Sequence, residues 1–254
     1  MSRVTILGWD CATQPKNNGV AIAEWSAGER TRVLALHVAE NDQELLSSIE
    51  KVLAQSHCTL IAADIPLGWP KISCEQLASH HAGMPLPGQI DMFFRRLTDR
   101  EVYRRLGKLP LEINADRIGR AAWATLNRIE QLRQCTGLVL PLHWHSEPPL
   151  TPAILEVYPG GTRRAMGLPN KLSHRYTKED QVADRRELLK KLDLVLAPVA
   201  QALATENQDA FDALLCVVAA VDVLEGRAVA PTTDQLPFAH REGWIWVRNR
   251  DELP

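Results

Sequence analysis

The chain has 254 residues, with 29 Lys and Arg against 31 Asp and Glu for a net charge of −2, and 45% of it is hydrophobic. That suits one large globular domain or one domain with a sizeable insertion, and no apolar run approaches the roughly 18 residues needed to span a bilayer. The five cysteines, Cys11, Cys58, Cys74, Cys135 and Cys216, are odd in number and widely spaced with no CxxC pair, which fits reduced thiols better than a disulfide framework or a structural zinc site. The opening MSRVTILGWD lacks the layout of a signal peptide. A cytoplasmic location and no membrane partner are therefore expected.

Val4 to Asp10 reads as a mostly apolar strand, and Asn17-Asn18-Gly19 is a tight-turn signal before a second strand, Val20 to Trp25. Thr31 to Val38 makes a third. Asn41 or Asp42 caps a helix in which Leu45, Leu46, Ile49, Val52 and Leu53 follow helical spacing. Thr59 to Ile65 is an apolar run broken by Asp64 and closed by Pro66, the pattern of a central strand buried on both faces. Three strands, a helix and a buried strand form the opening order of a ribonuclease H-like sheet. The expected fold class is thus α/β: a mixed sheet of about five strands flanked by helices.

From 67 to about 152 the pattern changes to helical segments with Pro/Gly-rich joins, expected to be a largely helical insertion within a single domain of 1–254. QIDMFFRRLTDREVYRRLG and RIGRAAWATLNRIEQLRQC read as helices and LPLHWHSEPPLTP as an irregular connector. A strand returns at Ala153 to Tyr158, followed by a helix after Gly160-Gly161 and another over about Lys178 to Asp193. A long helix runs from Asn207 to Glu225 with Gly226 placed to end it, and Trp244 to Val247 closes as a short strand.

Five acidic residues stand out against this pattern. Asp10, Asp64 and Glu156 interrupt apolar strand runs (VTILGWD, LIAADIP, ILEVYP), while Asp209 and Asp212, three apart, share a face of a largely apolar helix. Buried carboxylates are costly unless paired, hydrogen-bonded or bound to a cation. Several on converging element ends are what a hard divalent ion requires, because Mg²⁺ takes oxygen ligands. Asp212 is the better ligand of the helical pair and Asp209 its partner. Plainer explanations compete: a turn role for Asp10, an Asx turn for Asp64, a salt bridge from Glu156 to Arg163 or Arg164, and a helix-dipole role for Asp209.

Charge is distributed unevenly. Between Arg95 and Lys191 lie 19 basic and 11 acidic residues, and the flanks hold the acidic excess, so the middle of the chain is a candidate surface for an anion such as nucleic acid. Arg96, Arg100, Arg163 and Arg164 are candidates for phosphate contacts, since a guanidinium fork matches phosphate oxygens. Arg96 and Asp99, one helical turn apart, suit a mutual pair equally well. The histidines build no second site: His80-His81 and the His143/His145 pair lack partners at metal-ligand spacing.

The motifs resemble those of the DUF429 proteins, predicted nucleases of the ribonuclease H-like superfamily. The matching residues are the G-x-D at Gly8 and Asp10, the D-x-P-L-G at Asp64, Pro66, Leu67 and Gly68, and the R-x-x-D at Arg96 and Asp99. They continue with the E-x-Y-P at Glu156, Tyr158 and Pro159, the D-x-x-D-A-L at Asp209, Asp212, Ala213 and Leu214, and the closing G-W-I-W-V at Gly243 to Val247. The resemblance implies a carboxylate metal site: Asp10, Asp64, Glu156 and Asp212 as catalytic carboxylates, with Asp209 joining the ligand set. Two Mg²⁺ or Mn²⁺ ions about 3.5–4 Å apart would clamp a phosphodiester there. Fold is weaker evidence than site chemistry, and two other functions share the fold. One is a non-catalytic scaffold that binds nucleic acid or protein; the other is an actin-like phosphotransferase, against which Ala12 stands where a phosphate loop would need glycine.

Overall fold

A computed structural model describes residues 3–168 and 177–249. The first three strands, β1 (Arg3–Asp10), β2 (Gly19–Ser26) and β3 (Thr31–Val38), form an antiparallel meander. Helix α1 (Asp42–Gln55) follows, with Asn41 at its N-cap accepting the Glu44 N–H at 2.9 Å. Strand β4 (Thr59–Asp64) then lies parallel to β1, and β5 (Ala153–Val157) parallel to β4. Two strands of two residues each complete the edges: β6 (Leu194–Val195) beside β3, and β7 (Ile245–Trp246) beside β5. The sheet is therefore mixed, with seven strands in the order β6-β3-β2-β1-β4-β5-β7. Five of these follow the sequence pattern, as does the β7 edge; β6 is too short to leave a period.

Alternation along the strands sends side chains into two separate cores. Val4 and Ile6 of β1, with Leu60 and Ala62 of β4, pack under α9 (Gln208–Leu224), which is apolar around most of its girth. Leu7 and Trp9, with Ile61 and Ala63, face the opposite way, onto α1 and α5 (Asp116–Thr136). The sheet is thus covered on both faces, which is why its central strands read as continuous apolar runs.

Between β4 and β5 lie α2 (Lys71–Leu77), α3 (Ile90–Phe94), α4 (Leu97–Leu106) and α5. The single helix expected over QIDMFFRRLTDREVYRRLG breaks at Arg95-Arg96, because Arg96 turns inward and its N–H is taken by Asp99 Oδ2 at 2.9 Å, starting a second helix. After β5 come α6 (Pro159–Ala165), α7 (Lys178–Leu189) and α8 (Pro198–Glu206), then α9 and α10 (Leu236–Glu242). Helix α6 begins at Pro159 and carries Gly160-Gly161 in its first turn, where the helix was expected to start after them, and α8 was not legible in the pattern at all. No helix among the described residues is long and apolar enough to cross a membrane.

Candidate functional site

Asp10 and Asp64 are directly paired across β1 and β4, each the last residue of its strand. Both fall on the strand face covered by α9, by alternation from Ile6 and Leu60. Two glycines bring α9 to them. A Cβ on Gly8 would lie 2.2 Å from the Ala213 carbonyl oxygen, and one on Gly19, which pairs with Asp10 across β1 and β2, would lie 2.1 Å from that of Asp209. Only glycine at both places lets the first turns of α9 rest against the strand ends. Asp209 and Asp212 thereby join Asp10 and Asp64 at one end of the sheet.

Among the described residues no side chain or N–H donates a hydrogen bond or an ion pair to either Asp10 or Asp64, and no group of three His, Cys, Asp or Glu side chains is already gathered to hold an ion. The tight three-carboxylate cluster expected from the motifs is not formed. Burial, then the charges of Asp64, Asp212 and Asp209, pushes the Asp10 carboxyl well above its usual range. Burial with Asp212 and Glu156 does the same to Asp64. Asp212 is raised to about 6, chiefly by burial and further by Asp209, against the opposing hydrogen bond from Gln208 and the charges of Arg163 and Arg185.

Glu156 behaves differently. Its alternation, with Leu155 on the α9 face and Ile154 on the other, puts it on the α5 face. There the Arg96 guanidinium grips both of its oxygens, Nη2 to Oε1 at 2.7 Å and Nη1 to Oε2 at 2.9 Å, while the Leu67 N–H adds a bond of 3.0 Å. Arg96 also holds Asp99, Nη2 to Oδ1 at 2.9 Å, and donates to the Glu242 carbonyl; it is 1% exposed. A Cβ on Gly243 would lie 2.4 Å from Glu156 Oε2, and φ there is +86°. Arg96 is therefore withdrawn from the set of candidate phosphate contacts, since its donors are spent inside the protein. Glu156 belongs to this buried knot, on the other face of the sheet from the three aspartates though near enough to raise Asp64, and its arginine is Arg96, not Arg163 or Arg164.

Residues 8–236 match the family model described as a protein of unknown function, DUF429. The chain belongs to the DUF429 family. No curated protein and no solved structure matches it. Geometry divides the motifs of this DUF429 protein into two groups. G-x-D and D-x-x-D-A-L build the aspartate site, with Gly8 as the contact that seats α9. R-x-x-D, E-x-Y-P, the Leu67-Gly68 half of D-x-P-L-G and the Gly243 of G-W-I-W-V build the Arg96–Asp99–Glu156 knot beside it.

Of the other candidate arginines, Arg163 lies near enough to Asp212 to lower its pKa and stacks over Phe211 at 5.9 Å. Arg164 is exposed and donates to the Leu106 carbonyl at 3.0 Å. Arg100 spends Nη1 on the Arg95 carbonyl and Met92 Sδ, at the join of α3 and α4, and is not brought to the aspartates.

Several site residues escaped the sequence reading. Arg185 donates to the Thr205 and Glu206 carbonyls and to Gln208 Oε1, and Gln208 in turn donates to Asp212 Oδ2 at 2.7 Å. Asn18, fully buried, accepts from Trp9 Nε1 and the Ala12 N–H and donates to the Ala12, Gln14 and Pro15 carbonyls, fixing the loop after Asp10. Arg128 clamps the same loop from α5, reaching the Ala12 carbonyl at 2.6 Å and that of Thr13 at 2.9 Å. A signal for Arg128 existed: it falls on the buried stripe Ala121, Ala122, Thr125, Ile129, Leu132 of an otherwise amphipathic helix.

Proposed function

We propose that this chain is a divalent-metal-dependent phosphodiester hydrolase on a ribonuclease H-like sheet, with Asp10, Asp64 and Asp212 as the ion-holding carboxylates and Asp209 assisting Asp212. The single observation that carries the proposal is the register match of Asp10 and Asp64, two half-buried carboxylates on adjacent parallel strands with no donor between them. Such a pair is compensated either by protonation, as its raised carboxyls show, or by a cation, whereas the knot around Arg96 illustrates how this chain satisfies a carboxylate with an internal counter-charge. The strand order β3-β2-β1-β4-β5, with the fold's helix crossing over β1, supports the ribonuclease H-like reading.

The carboxylate oxygens fit Mg²⁺ or Mn²⁺. The Cys11 and Cys216 thiols beside them donate to the Trp9 carbonyl, and burial with the neighbouring aspartates pushes both well above the usual thiol range, so they stay protonated and are poor ligands. Such an ion supplies Lewis-acid polarisation of a phosphoryl oxygen when bound. The protein's own residues do the rest. Asp10 and Asp64 are held in place by their strands. Asp212 is oriented by Gln208, itself fixed by Arg185, so its carboxylate is positioned before any ligand arrives. Arg163, on α6, offers positive charge on the flank where the anionic diester would lie. Of the basic segment 95–191, Lys108, Arg163 and Arg164 are the residues proposed to meet nucleic acid, since their charges act together near Asp212. Arg96, Arg128 and Arg185 are spent inside the protein, and residues 169–176 lie outside the described residues.

Titration of the metal-free protein with Mn²⁺ in a calorimeter tests the reading, with strand cleavage of RNA and DNA followed in parallel. Saturable binding lost in Asp10→Asn and kept in Glu156→Gln is expected. Binding untouched by Asp10→Asn would remove the aspartates from the ion site.

A further inference from the structure

A cavity of about 190 Å³ opens beside the carboxylates, on the α5 side of the strand ends, with Asp64 at its edge. Its walls are mostly apolar, with Ile65 and Pro66 after β4, Pro110 and Leu111 from the α4–α5 loop, Ile118 of α5 and the side chain of Tyr158, while the mutually paired Arg96 and Glu156 and the Cys11 thiol supply the polar part of the lining. A whole drug-sized ligand needs roughly 300 Å³ or more. The space therefore suits one flat ring system and no more. Leu111 is 54% exposed at the rim, so the cavity is reachable from solvent.

The loop that supplies Pro110 and Leu111 also supplies Lys108, whose ammonium lies 5.8 Å from the centre of the Tyr158 ring. That ring also lines the cavity, so the lysine lies next to it. Lys108 feels the charges of Arg163, Arg164 and Asp212, which places three cations together on the flank of the aspartate site. Cationic side chains, the Asp64 carboxylate and a ring-sized cavity thus all neighbour Tyr158.

We propose that the cavity receives one unstacked nucleobase whose own phosphate rests on the Lys108, Arg163 and Arg164 flank, so that the substrate is a nucleotide free of a duplex: single-stranded nucleic acid or a small nucleotide. This rests on the phosphodiester reading for its purpose, but base capture is separable from ion binding. A base held in a duplex stays stacked and paired and cannot enter a recess in the protein surface, whereas a free base gains the contact of its face with apolar side chains.

The test compares binding of adenosine 5′-monophosphate and uridine 5′-monophosphate with that of ribose 5-phosphate, which has the phosphate and sugar but no base, each with and without Mn²⁺. The nucleotides are expected to bind about tenfold tighter than the sugar phosphate, the effect of one base face on apolar side chains. Ile118→Trp, which fills the cavity, and Leu111→Ser, which strips its rim without touching the core, should both erase that preference and leave ribose 5-phosphate binding unchanged. Lys108→Ala should weaken all three ligands alike. A preference that survives without Mn²⁺ upholds the cavity even if the ion reading fails. Mn²⁺ binding at the aspartates with equal affinity for nucleotide and sugar phosphate overturns the cavity and leaves the ion reading standing.

Discussion

Burial raises the Asp212 carboxyl from an ordinary value of 3.8 to about 6 in the folded chain, and that difference has a sign. The folded state holds the proton in a range where the unfolded state has released it, so the metal-free protein loses stability as pH rises from about 4 through about 6. The raised carboxyls of Asp10 and Asp64 act in the same direction. Thermal melts in chelator should therefore show a melting temperature that falls across that window, with a shallower fall in Asp212→Asn. The stake is up to about 3 kcal/mol for Asp212 at neutral pH. Identical pH profiles for wild type and variant would show that its carboxylate is not strained in the fold.

Arg96 presents the opposite case at the same scale. Removing it strands Glu156 and Asp99 in the interior without a counter-charge, so Arg96→Met should cost about 3–5 kcal/mol in urea unfolding. Glu156→Gln leaves Arg96 and Asp99 matched one to one and should cost less. A loss below about 1 kcal/mol for Arg96→Met would mean the knot is solvated, contrary to its burial.

Among elements, α9 decides whether the site exists. Gly8 and Gly19 are the two contacts that let its backbone meet β1 and β2. Gly8→Ala places a methyl against the Ala213 carbonyl, and the helix must move away; a cost of about 3 kcal/mol or more is expected, together with weakened Mn²⁺ binding because Asp209 and Asp212 travel with the helix. A Gly8→Ala protein with wild-type stability and wild-type ion affinity would contradict the close approach.

How much of this was legible in the sequence follows from the same elements. Asp10 and Asp64 declared themselves because each ends an apolar run, and Asp212 because it interrupts an apolar helix. Glu156 gave the same signal with a different outcome. In a strand buried on both faces, AILEV, every neighbour is apolar, so the pattern carries no record of which face a residue takes, and one step of register turned Glu156 to Arg96. Arg96-Asp99 was foreseen as a pair. What could not be foreseen was that the pair would break a helix, since two arginines in an amphipathic run carry no stop signal. Lys108, Arg185 and Asn18 stayed hidden because their partners come from distant parts of the chain or from backbone carbonyls, which composition does not mark.

At the scale of the whole molecule, the sheet gathers its unpaired carboxylates at one end while satisfying its other buried acids internally. Asp222, for example, accepts from both Arg227 and Arg248, and Glu242 from the Lys71 and Leu97 N–H groups. The measurement that bears most directly on this is the melting temperature of the full chain with and without Mn²⁺, for wild type, Asp10→Asn and Asp212→Asn. An ion at about 100 times its dissociation constant adds about 2.7 kcal/mol to the folded state, which raises the melting temperature by about 5–10 °C in a chain of this size. The account predicts that shift in wild type, its loss in both variants, and metal-free variants at least as stable as wild type. No shift in wild type, with both variants unchanged in stability, would make the aspartates ordinary structural groups and leave a non-catalytic scaffold as the better description.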